Sequence, residues 1–245
     1  MLAEFLAIGP AQLALAALTL IAAGAIQGST GFGFNMLAAP MLAVIDPAFV
    51  PAPMLLVSLM ISISGAIREW NRVDFTGLGV ALAGRTIASI AAVFCLGLLS
   101  AATFSKLFGV MVLAAVGISL LGLRLRPTPT TLFCAGSLSG FMGTLTSIGA
   151  PPMALVYQGS DAAVMRSTLN GFFVVGASIS VALLWLSGHL DWGQLLVTLA
   201  MFPFAFAGFL FSHWGRRLID GGLARPVILT MSAGSGIILI LRTFF

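Results

Sequence analysis

A glycine-rich segment interrupts an apolar stretch near the start of the chain and recurs, altered, 112 residues later. The first copy, from Gly28 to Asn35, reads Gly-Ser-Thr-Gly-Phe-Gly-Phe-Asn, and the second, from Gly140 to Ser147, reads Gly-Phe-Met-Gly-Thr-Leu-Thr-Ser. Both continue into Ala-x-Pro-Met. Breaks of this kind free backbone groups, which inside a membrane only a protein-lined or wet cavity can satisfy. Two halves that each carry an interrupted apolar helix are typical of a secondary transporter.

The composition places nearly the whole chain in a membrane. Of its 245 residues, 60% are hydrophobic and only 7% are charged, whereas soluble domains carry about 25% charged residues. Apolar runs long enough to span a bilayer fill the sequence and leave no room for a soluble domain. We therefore interpret the net charge of +4 as a topology signal and not as a nucleic-acid-binding surface.

The pattern predicts ten apolar segments. They lie at residues 11–27, 34–45, 51–67, 77–99, 106–123, 131–143, 146–158, 163–187, 192–212 and 226–242. The second and the seventh are shorter than the roughly 20 residues that a membrane-spanning helix needs. We predict an all-α integral membrane protein with two inverted repeats of about five helical segments each, residues 1–125 and 126–245, within one membrane domain. It has about eight full spans and two short half-helices that begin at the glycine breaks.

The arginines favour five passes in each half. If each glycine break returns the chain to the side it came from, Lys106 and Arg242 lie on one side and eight arginines share the other: Arg68, Arg72, Arg124, Arg126, Arg166, Arg216, Arg217 and Arg225. If each break only kinks one span, these arginines divide between the two faces. Basic residues in short loops prefer the cytoplasm, so both termini are predicted to lie outside. Whether the short arms cross completely stays open.

The two breaks are predicted to be non-helical over residues 28–34 and 140–147 and to hold an anion between them. The half-helices would point their positive N-terminal ends at the midplane from opposite sides, and hydroxyl, amide and backbone N–H groups would add donors. The candidate substrate-binding residues are Ser29, Thr30, Gly31, Phe32, Gly33, Asn35, Arg85, Gly143, Thr144, Thr146, Ser147 and Asn170. The alternative is that the glycines only let helices pack closely.

Arg85 lies well inside the fourth segment, where an arginine near the bilayer centre costs at least about 2.5 kcal/mol. It therefore needs a partner or a water-lined cavity. Pairing with a substrate anion and snorkelling or bonding to backbone carbonyls are both open. The counterpart of Arg85 in the second half is Phe202. Asn170 has two open interpretations as well, a pathway residue or an interhelical hydrogen bond.

The remaining polar residues are interpreted as structural. Cys95 and Cys134 are predicted to be buried small hydrophobic residues without a disulfide or a metal. Four acidic residues near segment ends are predicted to form caps or turns: Asp46, Asp74, Asp161 and Asp191. The sequence has no phosphate-binding loop, no metal-spaced His/Cys set and no catalytic His–Asp pair within a span. It therefore predicts neither an enzyme nor a cofactor, and a gradient must supply the energy.

With Gly28-x-x-Gly31-Phe32-Gly33 before Ala39-Pro40, and Gly140-x-x-Gly143 before Pro151-Pro152, the chain resembles the TauE/SafE family along essentially its whole length. These are sulfite exporter or toluenesulfonate uptake permease proteins. The resemblance implies a bacterial inner-membrane carrier of sulfite, of sulfonates such as taurine or sulfoacetate, or of a related small organic anion. It fixes neither the anion nor the direction of transport.

The leading functional hypothesis is a secondary carrier that works by alternating access. An anion channel or facilitator without ion coupling is the alternative, because broken helices also line pores. An intramembrane enzyme is the third class, and the missing catalytic set argues against it. The expected partners are a small anionic substrate and the lipid bilayer, with no nucleic acid. A co-transported proton or sodium ion and a homodimeric assembly stay open.

Overall fold

The computed structural model describes residues 9–121, 125–218 and 224–242, which fold into ten α-helices without a β-strand. The first five helices are α1 (Pro10–Thr30), α2 (Phe34–Ile45), α3 (Ala52–Glu69), α4 (Phe75–Gly97) and α5 (Ala101–Leu120). The second five are α6 (Pro129–Thr146), α7 (Ala150–Tyr157), α8 (Ala162–Leu186), α9 (Trp192–Leu218) and α10 (Ala224–Leu241). Each predicted apolar segment thus corresponds to one helix.

Five of the described helices are long and apolar enough to cross a membrane on their own, namely α1, α4, α5, α8 and α9. The two half-helices are short, with 12 residues in α2 and 8 in α7. The other three helices, α3, α6 and α10, are shorter or less apolar than the five. The protein is therefore an all-helical, multi-pass membrane protein.

The four acidic residues near helix ends bind backbone N–H groups, as predicted. Each carboxylate accepts a hydrogen bond from a backbone N–H two or three residues further along the chain. The four residues are Asp46, Asp74, Asp161 and Asp191. The first N–H groups of a helix have no partner within the helix, so these side chains satisfy them.

The cysteine prediction was wrong for Cys134, which is exposed on the outer surface of the helical bundle, while Cys95 is half-buried. Both thiols are free. The prediction failed because lipid is as apolar as a protein core, so a small hydrophobic residue fits either face of a membrane helix.

Two helix pairs pack backbone against backbone at glycine positions, α1 against α9 and α6 against α4. A Cβ atom at Gly24 of α1 would overlap the carbonyl of Ala205, and one at Gly136 of α6 would overlap the carbonyl of Ala81. Small residues four apart let membrane helices approach this closely.

The first glycine of each repeated motif belongs to the same contacts. A Cβ atom at Gly28 would overlap the side chain of Ser212, and one at Gly140 would overlap the backbone of Arg85. At these two positions the glycines allow close helix packing, which was the alternative to their role in an anion site.

Candidate functional site

The first break is three residues long and joins α1 to α2. Gly31 ends α1 in the left-handed conformation, with φ 81°, and its N–H donates to the carbonyl of Gln27 over 2.8 Å. Gly33 has φ 102° and directly precedes Phe34, the first residue of α2. Glycine adopts such angles without the clash that a Cβ atom would cause. The two glycines therefore end one helix and start the next within the bundle.

Gln27 replaces the backbone hydrogen bonds that the first break removes. Its Nε2 donates to the carbonyl of Gly31 over 3.1 Å and to Oδ1 of Asn170 over 3.2 Å. Its Oε1 accepts from the backbone N–H of Phe34 over 3.3 Å. Buried backbone groups need hydrogen-bond partners, and the buried side chain of Gln27 supplies them here.

The second break lies later than predicted. Helix α6 continues through Gly140 and Gly143 to Thr146, and only residues 147–149 separate it from α7. Residues 28–30 are helical as well. The prediction that residues 28–34 and 140–147 are non-helical was therefore right for residues 31–33 and Ser147 and wrong for residues 28–30, Phe34 and residues 140–146. A helical glycine costs only about 1 kcal/mol, whereas an unsatisfied backbone group in lipid costs several, so the helix persists.

Ser147 turns the chain at the second break, with φ 60°, a left-handed angle that residues other than glycine rarely adopt. The backbone N–H of the next residue, Ile148, donates to Oγ1 of Thr146 over 3.2 Å. The second break is thus built from hydroxyl residues where the first uses glycines.

A cavity of about 30 Å³ lies between the two breaks. The first break contributes residues 33–36 to its wall and the second contributes residues 147–150. Helix α3 adds Ser58 and Ser62, and α4 adds Arg85. A small chamber with several polar side chains in its wall thus lies where the two half-helices begin.

Asn35 connects the two breaks across this cavity. Its Nδ2 donates to the carbonyl oxygen of Ser147 over 2.9 Å. A carbonyl can only accept, so the amide nitrogen must face it, which leaves Oδ1 as the second polar atom of Asn35. This Oδ1 is buried without a hydrogen-bond partner.

Arg85 occupies a closely fitted position beside the cavity. It is only 1% exposed, and its Nη1 donates to Oγ of Ser139 over 3.2 Å. Its guanidinium carbon lies 4.9 Å from the ring centroid of Phe172. A Cβ atom at Gly176 would overlap Nε, so the glycine makes room for the side chain. Arg85 therefore does not snorkel to an interface.

Unsatisfied polar atoms gather at this cavity. Among the described residues, four buried side-chain atoms lack a hydrogen-bond partner. Three of them belong to cavity-lining residues: Asn35 Oδ1, Ser62 Oγ and Arg85 Nε. Buried polar groups are normally hydrogen-bonded, and each exception calls for an explanation such as an absent ligand or water. The chamber can therefore offer the hydroxyl of Ser62 as a donor, Asn35 Oδ1 as an acceptor and the positive charge of Arg85 to a small polar molecule.

Some of the other predicted site residues lie close to the chamber. Gly33 lines it directly. Gly143 faces Arg85, since a Cβ atom there would lie 3.5 Å from Nη2. Thr30 and Phe32 line a larger cavity next to it.

The remaining predicted residues have other partners. The hydroxyl of Thr144 bonds to Ser180 and Ser89, and that of Thr146 donates to the carbonyl of Met142. Three more predicted residues contact other helices. Ser29 donates to a carbonyl of α9, Gly31 lies against the backbone of Arg166, and Asn170 accepts from Gln27.

Sequence reasoning missed several residues of the site. They are Gln27, Ser62, Ser139, Phe172 and Gly176. A usable signal existed for α3, where serines four residues apart face the chamber from an apolar helix. No local pattern marked Phe172 or Gly176, because their role depends on how α8 packs against α4.

The larger neighbouring cavity has a volume of about 320 Å³ and shares Gly33 and Met36 with the small chamber. We refer to this cavity as the vestibule. Its wall is mostly apolar and comes from the end of α5, from α7 and from the first turns of α8 and α10. The vestibule thus adjoins the chamber from the end of the bundle where α5 and α7 end.

Comparison with known proteins adds one finding. The family model described as Sulfite exporter TauE/SafE matches residues 16–239. No curated protein and no solved structure matches the chain. The family match covers nearly the whole sequence, including both interrupted helices, and the chain therefore belongs to the sulfite exporter TauE/SafE family of membrane transporters.

Proposed function

We propose that the protein is a secondary carrier that moves sulfite, an organosulfonate or a related small anion across the bacterial inner membrane, and that the anion binds in the chamber between the two breaks. The observation that carries this proposal is Arg85. It is a buried cation whose Nε has no hydrogen-bond partner, and it lines a cavity that both breaks share. Such a charge is costly in a membrane unless an opposite charge or polar groups compensate it.

The half-helices support the same site. Helix α2 begins at Phe34 and α7 at Ala150, and both residues line the chamber. A helix N-terminus carries a partial positive charge on its backbone N–H groups. In α2 the N–H of Phe34 already donates to Gln27, and in α7 Pro151 and Pro152 have no N–H. The two ends therefore assist Arg85 mainly through their dipoles.

The packing of the helices supports two inverted repeats, residues 1–125 and 126–245. If α1–α5 correspond to α6–α10, the observed contacts form matching pairs. The contact of α1 with α9 matches that of α6 with α4, and the contact of α2 with α10 matches that of α7 with α5. Helices α3 and α8 touch each other, as elements beside a two-fold axis do.

The repeats differ at the position of Arg85. Gly140 lies against the carbonyl of Arg85, whereas its counterpart Gly28 lies against the carbonyl of Phe209. On this evidence Phe209 replaces Phe202 as the residue equivalent to Arg85. The two phenylalanines lie two turns apart, and α9, with 27 residues, is longer than α4, with 23. The cation therefore comes from the first repeat alone.

The vestibule supports transport by alternating access. It reaches the chamber at Gly33 and Met36, and it opens between helix ends that adjoin the arginine-containing loops. We propose that this side faces the cytoplasm.

Counterflow in proteoliposomes tests the proposal. Vesicles that contain the purified protein and are loaded with unlabelled sulfite should take up labelled sulfite transiently and with saturation. Imposed proton and sodium gradients in the same assay identify a coupled ion. Currents far above carrier turnover, without counterflow, would instead establish a channel.

A further inference from the structure

We infer that the transported anion carries a single negative charge and one hydrogen-bond donor, so that sulfite moves as hydrogensulfite and not as the dianion. This inference rests on the proposed function and defines the chemical class of its substrate. Two independent features of the chamber lead to it, its charge and an acceptor without a donor.

The charge of the chamber is the first feature. Arg85 is the only ionisable side chain among the described residues of the wall. Two helices pack against α4, namely α6 and α8. The only ionisable side chain on α6 is the exposed Cys134, and the only one on α8 is Arg166. Neither residue lines the chamber. The two half-helix ends add partial positive charge but no ionised group. A monoanion therefore pairs with the one formal charge of the site, whereas the second charge of a dianion would face only backbone dipoles and neutral hydroxyls, the costlier arrangement for a buried charge.

The acceptor is the second feature. The hydrogen bond from Nδ2 of Asn35 to Ser147 fixes the orientation of the amide and leaves Oδ1 without a donor. A sulfite dianion or an alkylsulfonate has only acceptor oxygens, so either leaves Asn35 Oδ1 unpaired. Hydrogensulfite and hydroxyl-bearing sulfonates bring the missing donor. The positive charge of Arg85 and the hydroxyl of Ser62 remain to bind the charged oxygens.

The charge is tested by measuring fluxes in proteoliposomes at equal internal and external pH under anaerobic conditions. The probes are labelled sulfite and isethionate, a hydroxyl-bearing sulfonate whose single charge does not change with pH. Total sulfite is kept constant and below saturation. The sulfite flux should then fall about tenfold per pH unit once the dianion predominates, because the hydrogensulfite concentration falls by that factor. The isethionate flux should stay constant over the same range, which excludes titration of the protein. A sulfite flux that stays constant or rises with pH overturns the inference.

The donor is tested by comparing isethionate with propane-1-sulfonate, in which a methyl group replaces the hydroxyl. Isethionate should be transported about tenfold better at low concentration, because only it satisfies Asn35 Oδ1. Asn35→Leu should bring the ratio of the two fluxes close to one, and the ratio is insensitive to how much protein is active. If the variant does not fold, the wild-type ratio still decides, and equal wild-type fluxes overturn the inference. If none of these anions is transported, the proposed function itself is wrong.

Discussion

The side-chain amide of Asn35 donates to the backbone carbonyl of Ser147 over 2.9 Å and so joins two helix breaks that lie 112 residues apart in sequence. This bond fixes the separation of the half-helices at the chamber. It also leaves Oδ1 of Asn35 in the wall of the chamber without a hydrogen-bond partner.

Gly176→Ala should displace Arg85, because the added Cβ atom would overlap its Nε. Overpacking of a filled site costs about 1–3 kcal/mol. We expect a lower unfolding temperature in detergent and a loss of anion transport. The matched control is Gly171→Ala on the same helix, where the new Cβ atom would lie 3.7 Å from Leu78 in ordinary contact. Equal behaviour of the two variants would mean that Arg85 is not confined by α8.

Ser139→Ala should weaken anion binding several-fold without unfolding the protein. Oγ of Ser139 accepts from Arg85 Nη1 and donates to the carbonyl of Gly149 at the second break, so its loss frees the guanidinium to move. The measurement is the apparent affinity for sulfite in flux assays. Ser178→Ala is the control, since that hydroxyl donates only to a carbonyl of its own helix. An unchanged affinity in Ser139→Ala would show that the serine does not position Arg85.

Gly136→Val should prevent the bundle from assembling, because the side chain would be forced into the carbonyl of Ala81. Gly79→Val should be tolerated, since no atom lies within 4 Å of the Cβ position there. The yield of monodisperse protein from membranes measures both. Normal assembly of Gly136→Val would show that α4 and α6 do not need close contact.

The ten helical segments could be predicted from the sequence, and the bounds of α2 agree with the predicted 34–45. These segments could be predicted from hydropathy and from the short length of the two half-helices, because both are local properties of the sequence. The second break could not be placed, since Gly140 and Gly143 give the same local signal as Gly31 and Gly33 but lie within a continuous helix. The partners of Arg85 depend on contacts between distant helices, which no local pattern records.

Thr128→Cys should not be labelled by an impermeant thiol reagent applied outside intact cells, in a background that lacks both native cysteines. The clustering of arginines places this loop and those around Arg68, Arg124 and Arg216 in the cytoplasm. Arg124 lies outside the described residues, as does the side chain of Arg216, so labelling is the direct test. Ser187→Cys should be labelled readily, because it follows the end of α8 opposite to the end that carries Arg166. Labelling of Thr128→Cys in intact cells would overturn this topology and the inverted repeat.

Whether the anion binds at Arg85 is decided by the affinity of purified Arg85→Met for sulfite, measured by calorimetry beside the wild type. A hydrogen bond to a charged group contributes about 1.5–3 kcal/mol, so losing the guanidinium should weaken binding at least about ten- to a hundredfold. The control is Arg242→Met, because Arg242 lies at the end of α10 and donates to the carbonyl of Val44. We expect weakened binding in Arg85→Met and wild-type binding in Arg242→Met. Wild-type affinity in a folded Arg85→Met protein would place the anion elsewhere.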